Sequence, residues 1–252
     1  METLTYEERI KKLNEIIQDS KQICFFGGAG VSTESGIPDF RSKDGLYNNV
    51  DEEFSKYDPE YLLSHACLYN HPKMFYSFYR KKLDIRGIEP NKAHYKLAEL
   101  EEKGKISGIV TQNVDGLHQK AGSKKVYELH GSFLRVYCAG CKKEYPNDYL
   151  FTNTDSIVKC PVCRHLIRPD VVLYDEMLPT KAINGGAKAI YNADCLIIAG
   201  TSLKVEPAAS MVKGYFGKYI VIINRDPLGD IEQYADVVFR ENVGEVLDRI
   251  IV

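Results

Sequence analysis

The chain has no apolar run near the roughly 20 residues that a membrane-spanning helix requires, so none is expected. It has little charge to spare: 33 Lys and Arg against 35 Asp and Glu leave a formal −2, with a pI near 6.3. Without an overall basic field, generic binding to nucleic acid or to an anionic membrane has no electrostatic support. A secretion signal is also missing, since METLTYEERIKKLNEII carries mixed charge at helical spacing, and a cytoplasmic protein is expected. The even cysteine count of a disulfide framework is absent too: there are seven, four of them in two C-x-x-C pairs. No internal repeat, low-complexity tract or linker interrupts the 252 residues, enough for one large domain or two modest ones.

What is present is an alternation. Apolar runs of strand type recur at Ile23 to Phe26, Ile106 to Val110, Cys195 to Ala199, Tyr219 to Ile223 and Val237 to Phe239, with helical patterns between most of them. This predicts an α/β fold built on a Rossmann-like parallel sheet. Polar clusters follow the runs, TQNVDG after Val110, GTS after Ala199 and NRD after Ile223. Ligands of open parallel sheets bind beyond the carboxyl ends of the strands, so these clusters should converge on one site. Two stretches break the pattern. The expected division is a Rossmann-like domain of residues 1–38, 88–134 and 169–252, a helical insertion over 39–87, and a four-cysteine insertion over 135–168, the two insertions forming a smaller module.

Cys138-x-x-Cys141 and Cys160-x-x-Cys163, eighteen residues apart, have the two-knuckle spacing of a tetrahedral zinc site. Four thiolates leave the metal no open position, so one structural Zn2+ per chain is expected to fold the insertion and to do no chemistry. His165 is a rival ligand that four cysteines make unnecessary. Cys24, Cys67 and Cys195 sit in apolar or helical contexts and should be buried.

After the first apolar run comes GGAGVSTESGIPDFR. Gly27, Gly28 and Gly30 suit a phosphate-cradling turn. The third glycine of the dinucleotide fingerprint is missing, with Thr33 in its place, and a turn rich in Gly and Ser is the plain alternative. Taken together and in order, GAGVSTESGIPDFR, TQNVDGLHQKAG, ELHGS, the four cysteines, RPDVVLYDE, AGTSLKVEPA and IINRD resemble the sirtuin family of NAD-dependent protein lysine deacylases. The likeness is to the short bacterial and archaeal members, and it runs from about residue 20 to the C-terminus.

The resemblance implies that acetyl-lysine proteins or peptides and NAD, a consumed co-substrate, become lysine, nicotinamide and O-acetyl-ADP-ribose. It implies that backbone N–H groups of Gly28, Ala29 and Gly30, with Ser32 nearby, hold the pyrophosphate. Asp39, Phe40 and Arg41 would work in a cofactor loop, Ile37 to Tyr47, that closes over the nicotinamide ribose. Gln112 and Asn113 would address that ribose, and Asp115 with the Val114 backbone the carboxamide. Gly200, Thr201 and Ser202 would hold phosphate and ribose, and Asn224 the adenosine ribose. His130 is the expected general base, because imidazole titrates near neutrality; Asn113 is grouped with it as catalytic. His118 is the rival, while His65, His71 and His94 lie on helical patterns. Val171, Val172, Leu173 and Tyr174 on one side, and Leu203, Val205 and Glu206 on the other, would be extended segments pairing with the substrate peptide.

Two positions depart from the family pattern: Gly27 stands where Thr is usual, and Asp175 where Gly is usual before Glu176. A positive φ at 175 would suit Asp less freely than Gly. Succinyl-removing members carry Tyr and Arg three residues apart on a helix of the small module. Here Tyr76 is placed at the Tyr position and Tyr79 at that of the Arg, with Arg80 turned about 100° away, so acetyl is expected to be preferred. Two other readings stay open: a mono-ADP-ribosyltransferase on the same scaffold, and a binding module that senses NAD without turning it over. Oligomeric state is not legible.

Overall fold

A computed structural model describes residues 4–39, 45, 46, 48 and 51–251. Strands β1 (Ile23–Gly27), β2 (Ile106–Thr111), β3 (Val126–Glu128), β7 (Cys195–Ala199), β8 (Tyr219–Ile223) and β9 (Val237–Phe239) form one parallel sheet in the order β3-β2-β1-β7-β8-β9. Every residue of β1 and β7 is buried. Helices cover both faces, so these strands read as continuous apolar runs instead of alternating ones. The chain leaves β1 toward β2 on one side and returns to β7 on the other, which opens a crevice at the carboxyl ends of the central strands.

Helix Tyr6–Asp19 starts with a capping box, in which the Thr5 side chain accepts from the Glu8 N–H and the Glu8 carboxylate from the Thr5 N–H. Its buried stripe of Ile10, Leu13, Ile16 and Ile17 follows helical period and joins the apolar cluster on one face of the sheet. Each such side chain contributes roughly 2 kcal/mol by burial. Helices Thr180–Tyr191 and Ala208–Lys213 supply Ala189, Ile190 and Val212 to the cluster on the other face.

The smaller module has a three-stranded antiparallel sheet, β5-β4-β6, of β4 (Gly131–Cys138), β5 (Glu144–Tyr145) and β6 (Ile167–Val171). Short helices Pro59–Leu62, His65–Asn70 and Pro72–Lys82 make up the helical stretch. Asp58 and Ser64 cap the first two, and Pro59 and Pro72 stand where a helix start needs no N–H. The helices and the cysteine-bearing sheet share one core, in which Phe75, Tyr76 and Tyr79 meet Val136, Cys138, Cys160 and Ile167.

Candidate active site

Two turns at the sheet end touch backbone to backbone. A methyl group added at Gly28 would lie 2.8 Å from the Gly200 carbonyl oxygen, and one at Gly30 2.8 Å from Gly200 Cα. Gly200 itself has φ +55°, and a methyl there would come 2.5 Å from the Val31 nitrogen. The Gly30 N–H seals the contact by donating to the Gly200 carbonyl (2.8 Å), and Gly28 N–H donates to that of Ala199 (3.2 Å). Of the three expected pyrophosphate donors, two are thus engaged within the chain. No third glycine is needed, because β1 leads into two short 3-10 turns, Ala29–Val31 and Thr33–Ser35, and not into a long helix pressed on the sheet.

Behind this pair the polar side chains form two linked sets. Asn113 Nδ2 donates to Ser32 Oγ (3.0 Å), which donates to Asp115 Oδ2 (2.7 Å); Asp115 Oδ1 accepts the Leu117 N–H (2.9 Å). All three are buried, and burial raises the Asp115 carboxyl above its ordinary range despite the bonds that favour its charge. In the second set Gln112 Nε2 donates to Thr201 Oγ1 (3.2 Å), and the Thr201 N–H to Asn224 Oδ1 (2.9 Å). Ser32 and Thr201 join residues far apart in sequence, which is the convergence expected of strand-end clusters.

His130 lies in the turn between β3 and β4. Its Nδ1 is 2.9 Å from the Gln112 carbonyl oxygen, which can only accept, so Nδ1 carries the proton and Nε2 keeps a lone pair. Desolvation lowers its pKa, opposed by that hydrogen bond. The next residue must be glycine: Gly131 has φ +78°, and a methyl there would sit 2.0 Å from the Asp170 carbonyl oxygen. The rival His118 is fully buried beside His94 and Phe25, and its pKa is pushed well down, which keeps it from a reacting group. His94 is likewise core, lowered to about 4 by burial.

A cleft of about 750 Å³ runs between the sheet end and the smaller module. It gathers Gly28, Ala29, Gly30, Asp39, Gln112, Asn113, Val114, His130, Val171 to Tyr174, Gly200, Thr201, Ser202, Val205, Glu206 and Asn224. A smaller cavity of about 110 Å³ shares Ala29, Asn113 and Val114 with it and reaches Ser32 and Asp115. Phe40 and Arg41 lie outside the described residues.

Three placements differ from expectation. Tyr76 does not line the cleft: its side chain points to β6, where its hydroxyl donates to the Ile167 carbonyl (2.8 Å) and ties the helix to that strand. Tyr79 lines the cleft instead, with Phe75 and Leu83 one turn to either side and Phe133 opposite. The spacing of Phe75, Tyr79 and Leu83 by four was the signal that could have found this wall. Leu203 is not extended; its φ is +50° and it packs against the core below the second turn. Along the other wall the N–H groups of Val172, Leu173 and Tyr174 are donated to His130 O, Glu176 Oε2 and Leu63 O. That wall therefore presents side chains and not a row of free N–H donors.

The four paired cysteines converge, with their sulfurs all within 4.8 Å of one another. Tetrahedral Zn–S bonds of about 2.3 Å place sulfurs roughly 3.8 Å apart, so the cluster fits one structural zinc. Each C-x-x-C turn is closed in the same way: Lys142 and Arg164, both at positive φ, donate their N–H groups to the carbonyls of Cys138 (3.1 Å) and Cys160 (2.9 Å). The His165 ring pairs with the Cys163 carbonyl and stands outside the cluster. Cys24, Cys67 and Cys195 are fully buried, and burial pushes their thiols up to about 12, 11 and 12, leaving them inert packing groups.

A model of the Sir2 family matches residues 28–207. The chain belongs to the Sir2 family. It is 48% identical over 244 residues to an NAD-dependent protein deacetylase of Clostridium acetobutylicum, covering 97% of this chain and 98% of that one. It is 49% identical over 247 residues to one of Clostridium perfringens, covering 97% and 99%. Among solved structures it superimposes on a Sir2 variant with deacetylated p53 peptide and 3′-O-acetyl-ADP-ribose, with TM-score 0.85, 34% identity and 95% and 96% of the two chains covered. A Sir2–p53 peptide–NAD+ complex gives TM-score 0.82 at 34% identity, covering 95% and 96%. This Sir2 chain is an enzyme, an NAD-dependent protein deacetylase.

Against the Sir2 pattern the two departures have physical readings. At Gly27 a methyl would lie 2.6 Å from the Phe25 ring, so the larger residue usual there would displace a core aromatic. Asp175 has φ +72°, the backbone that glycine adopts freely and Asp at a cost. No helix among the described residues is long and apolar enough to cross a membrane.

Proposed function

We propose that His130 is the general base of the deacetylation and that Asn113, Ser32 and Asp115 form the nicotinamide end of the site. The observation that carries this is the His130 tautomer: a carbonyl fixes the proton on Nδ1 and leaves the lone pair of a part-buried ring on Nε2 at the cleft wall. Such a group can take a proton from a ribose hydroxyl, and burial keeps it unprotonated to lower pH than free imidazole. The reaction consumes NAD and acetyl-lysine and releases nicotinamide, lysine and O-acetyl-ADP-ribose. Asn113 and Gln112 would orient the ribose next to nicotinamide. Asp115, aligned by Ser32 and the Leu117 N–H, would accept from the carboxamide in the 110 Å³ cavity. The Ala29 N–H, on a turn that Gly28 and Gly30 keep bare of side chains, would hold the pyrophosphate with Gly200, Thr201 and Ser202, and Asn224 the adenosine ribose, with Asp39 near the reacting sugar.

Acetylated peptide would lie between Val171 to Tyr174 and Val205 with Glu206. Its acyl group would face Phe75, Tyr79 and Phe133, and among the described residues this wall holds no cation for a succinyl carboxylate. Arg80 on the same helix turns away and donates to the Leu150 and Asp155 carbonyls (2.7 and 2.8 Å). Acetyl removal should therefore exceed succinyl removal on the same peptide. We place the enzyme in the cytoplasm because four of its seven cysteines form a metal-type cluster in place of a disulfide framework. The deciding experiment measures nicotinamide and deacetylated peptide together for wild type and His130→Ala. Nicotinamide exchange that outlasts deacetylation in the variant supports the assignment, and unchanged turnover removes His130 from it.

A further inference from the structure

The wall of the cleft beyond Val172 ends in a tight turn. The Glu176 N–H donates to the Leu173 carbonyl (3.0 Å), so Leu173 to Glu176 form a four-residue turn with Asp175 at its third position. Asp175 has φ +72° there, the geometry of a type II turn, which prefers Gly or Asn at that place. The strain is held from both sides. Glu176 makes a part-buried double ion pair to Arg168, accepts the Leu173 N–H and meets His65 Nδ1 (2.9 Å). Tyr174 is paired to the helical insertion, its N–H donated to Leu63 and its carbonyl accepting from His65 (3.0 and 2.9 Å).

The Asp175 carboxylate is exposed, lines the cleft, and has no hydrogen-bonded or ionic partner among the described residues. The neighbouring acids differ: Glu176 is neutralised by Arg168, and Glu206, across the cleft, pairs with Lys213. A turn that keeps an acid where glycine fits best, and leaves that acid unpaired, is suited to reading a charge on what enters the cleft.

We propose that Asp175 is a specificity residue that selects acetylated peptides carrying a Lys or Arg side chain close to the acetyl-lysine. The inference rests on the reading above that the peptide lies along Val171 to Tyr174. The attraction is between solvent-exposed charges, so its size is modest and it weakens as salt rises.

The experiment compares kcat/KM for three otherwise identical acetyl-lysine peptides, flanked by arginines, by alanines or by glutamates, at low and at high salt. Wild type, Asp175→Asn and Asp175→Gly are measured; Asn keeps the turn geometry without the charge. Wild type should favour the arginine over the glutamate peptide by about three- to fivefold at low salt, mainly through KM. Both variants should bring that ratio close to unity. Loss of the preference in Asp175→Gly but not in Asp175→Asn would assign it to backbone and overturn the proposal. So would a wild-type ratio near one, or one carried unchanged into both variants. Failure of wild type to turn over even the alanine peptide would instead overturn the reading of the site.

Discussion

The six-stranded sheet carries an apolar cluster on each face, while the three-stranded sheet contains a strand of two residues, β5, and shares its core with helices from another part of the chain. The first can be held by burial alone. The second adds a four-cysteine cluster that fits a zinc ion. On the proposed reading the chemistry follows the same line: the groups assigned to proton transfer and to NAD line the cleft at the sheet end, and the smaller module would supply the acyl wall and one wall for the peptide. The larger region should therefore fail by losing function, the smaller by losing structure.

Removing the metal would break this contrast most severely. Structural zinc contributes apparent binding energies of about 10 kcal/mol or more, so Cys141→Ser or Cys163→Ser should cost soluble, folded protein and zinc together. Metal analysis should find one zinc per wild-type chain; active protein without zinc would contradict the assignment. His130→Ala tests the other region. Loss of a general base should cut deacetylation by about 10²- to 10⁴-fold, with NAD affinity within a few-fold and the thermal midpoint nearly unmoved. A large fall in that midpoint would mean that His130 is structural.

Gly30→Ala probes the contact between the two turns. With Gly200 Cα 2.8 Å from the new methyl, one backbone must give way. Overpacking of this kind costs about 1–3 kcal/mol, and KM for NAD should rise together with the loss in stability. Tyr76→Phe separates core from site on a single helix. It deletes the hydroxyl bonded to Ile167 O and should cost about 1 kcal/mol or somewhat more. The ratio of kcat/KM for acetyl and succinyl peptides should not move; a changed ratio would return Tyr76 to the acyl site.

The smallest effect is in pH. The folded His130 pKa lies below its ordinary value, so the base stays neutral where free imidazole, near 6.5, would be half protonated. The acid limb of kcat/KM should fall below pH 6.5. Stability has the same sign. Buried neutral His94, lowered to about 4, binds its proton less readily than in the unfolded chain, so stability is lost as pH drops from about 6.5 toward 4.

The central strands were legible because burial on both faces makes them apolar throughout, and five strand-type runs are five of the six strands of the sheet. The three residues of β3 gave no period to read, and in the second sheet β5 is shorter still, β4 shifts register, and β6 contains Pro169. Helix Pro72–Lys82 shows a different limit. It buries Phe75, Tyr76, Phe78 and Tyr79, so no single stripe marks the face that meets the cleft. Alignment on a Phe-Tyr pair chose Tyr76, and only the packing against Ile167 and Phe133 tells the two tyrosines apart. The chain Asn113–Ser32–Asp115 spans more than 80 positions and has no local trace.

The shared core of the smaller module has a consequence during synthesis. Tyr76 and its acceptor Ile167 are 91 positions apart. At about 5–20 residues per second the ribosome needs several seconds to cover that distance. Throughout that interval Phe75, Tyr76 and Tyr79 have emerged without β4, β6 or the zinc cluster to cover them. The helical insertion is thus the part of the nascent chain with most to gain from a chaperone, and slow codons between residues 83 and 131 would lengthen its exposure more than slow codons anywhere after residue 167.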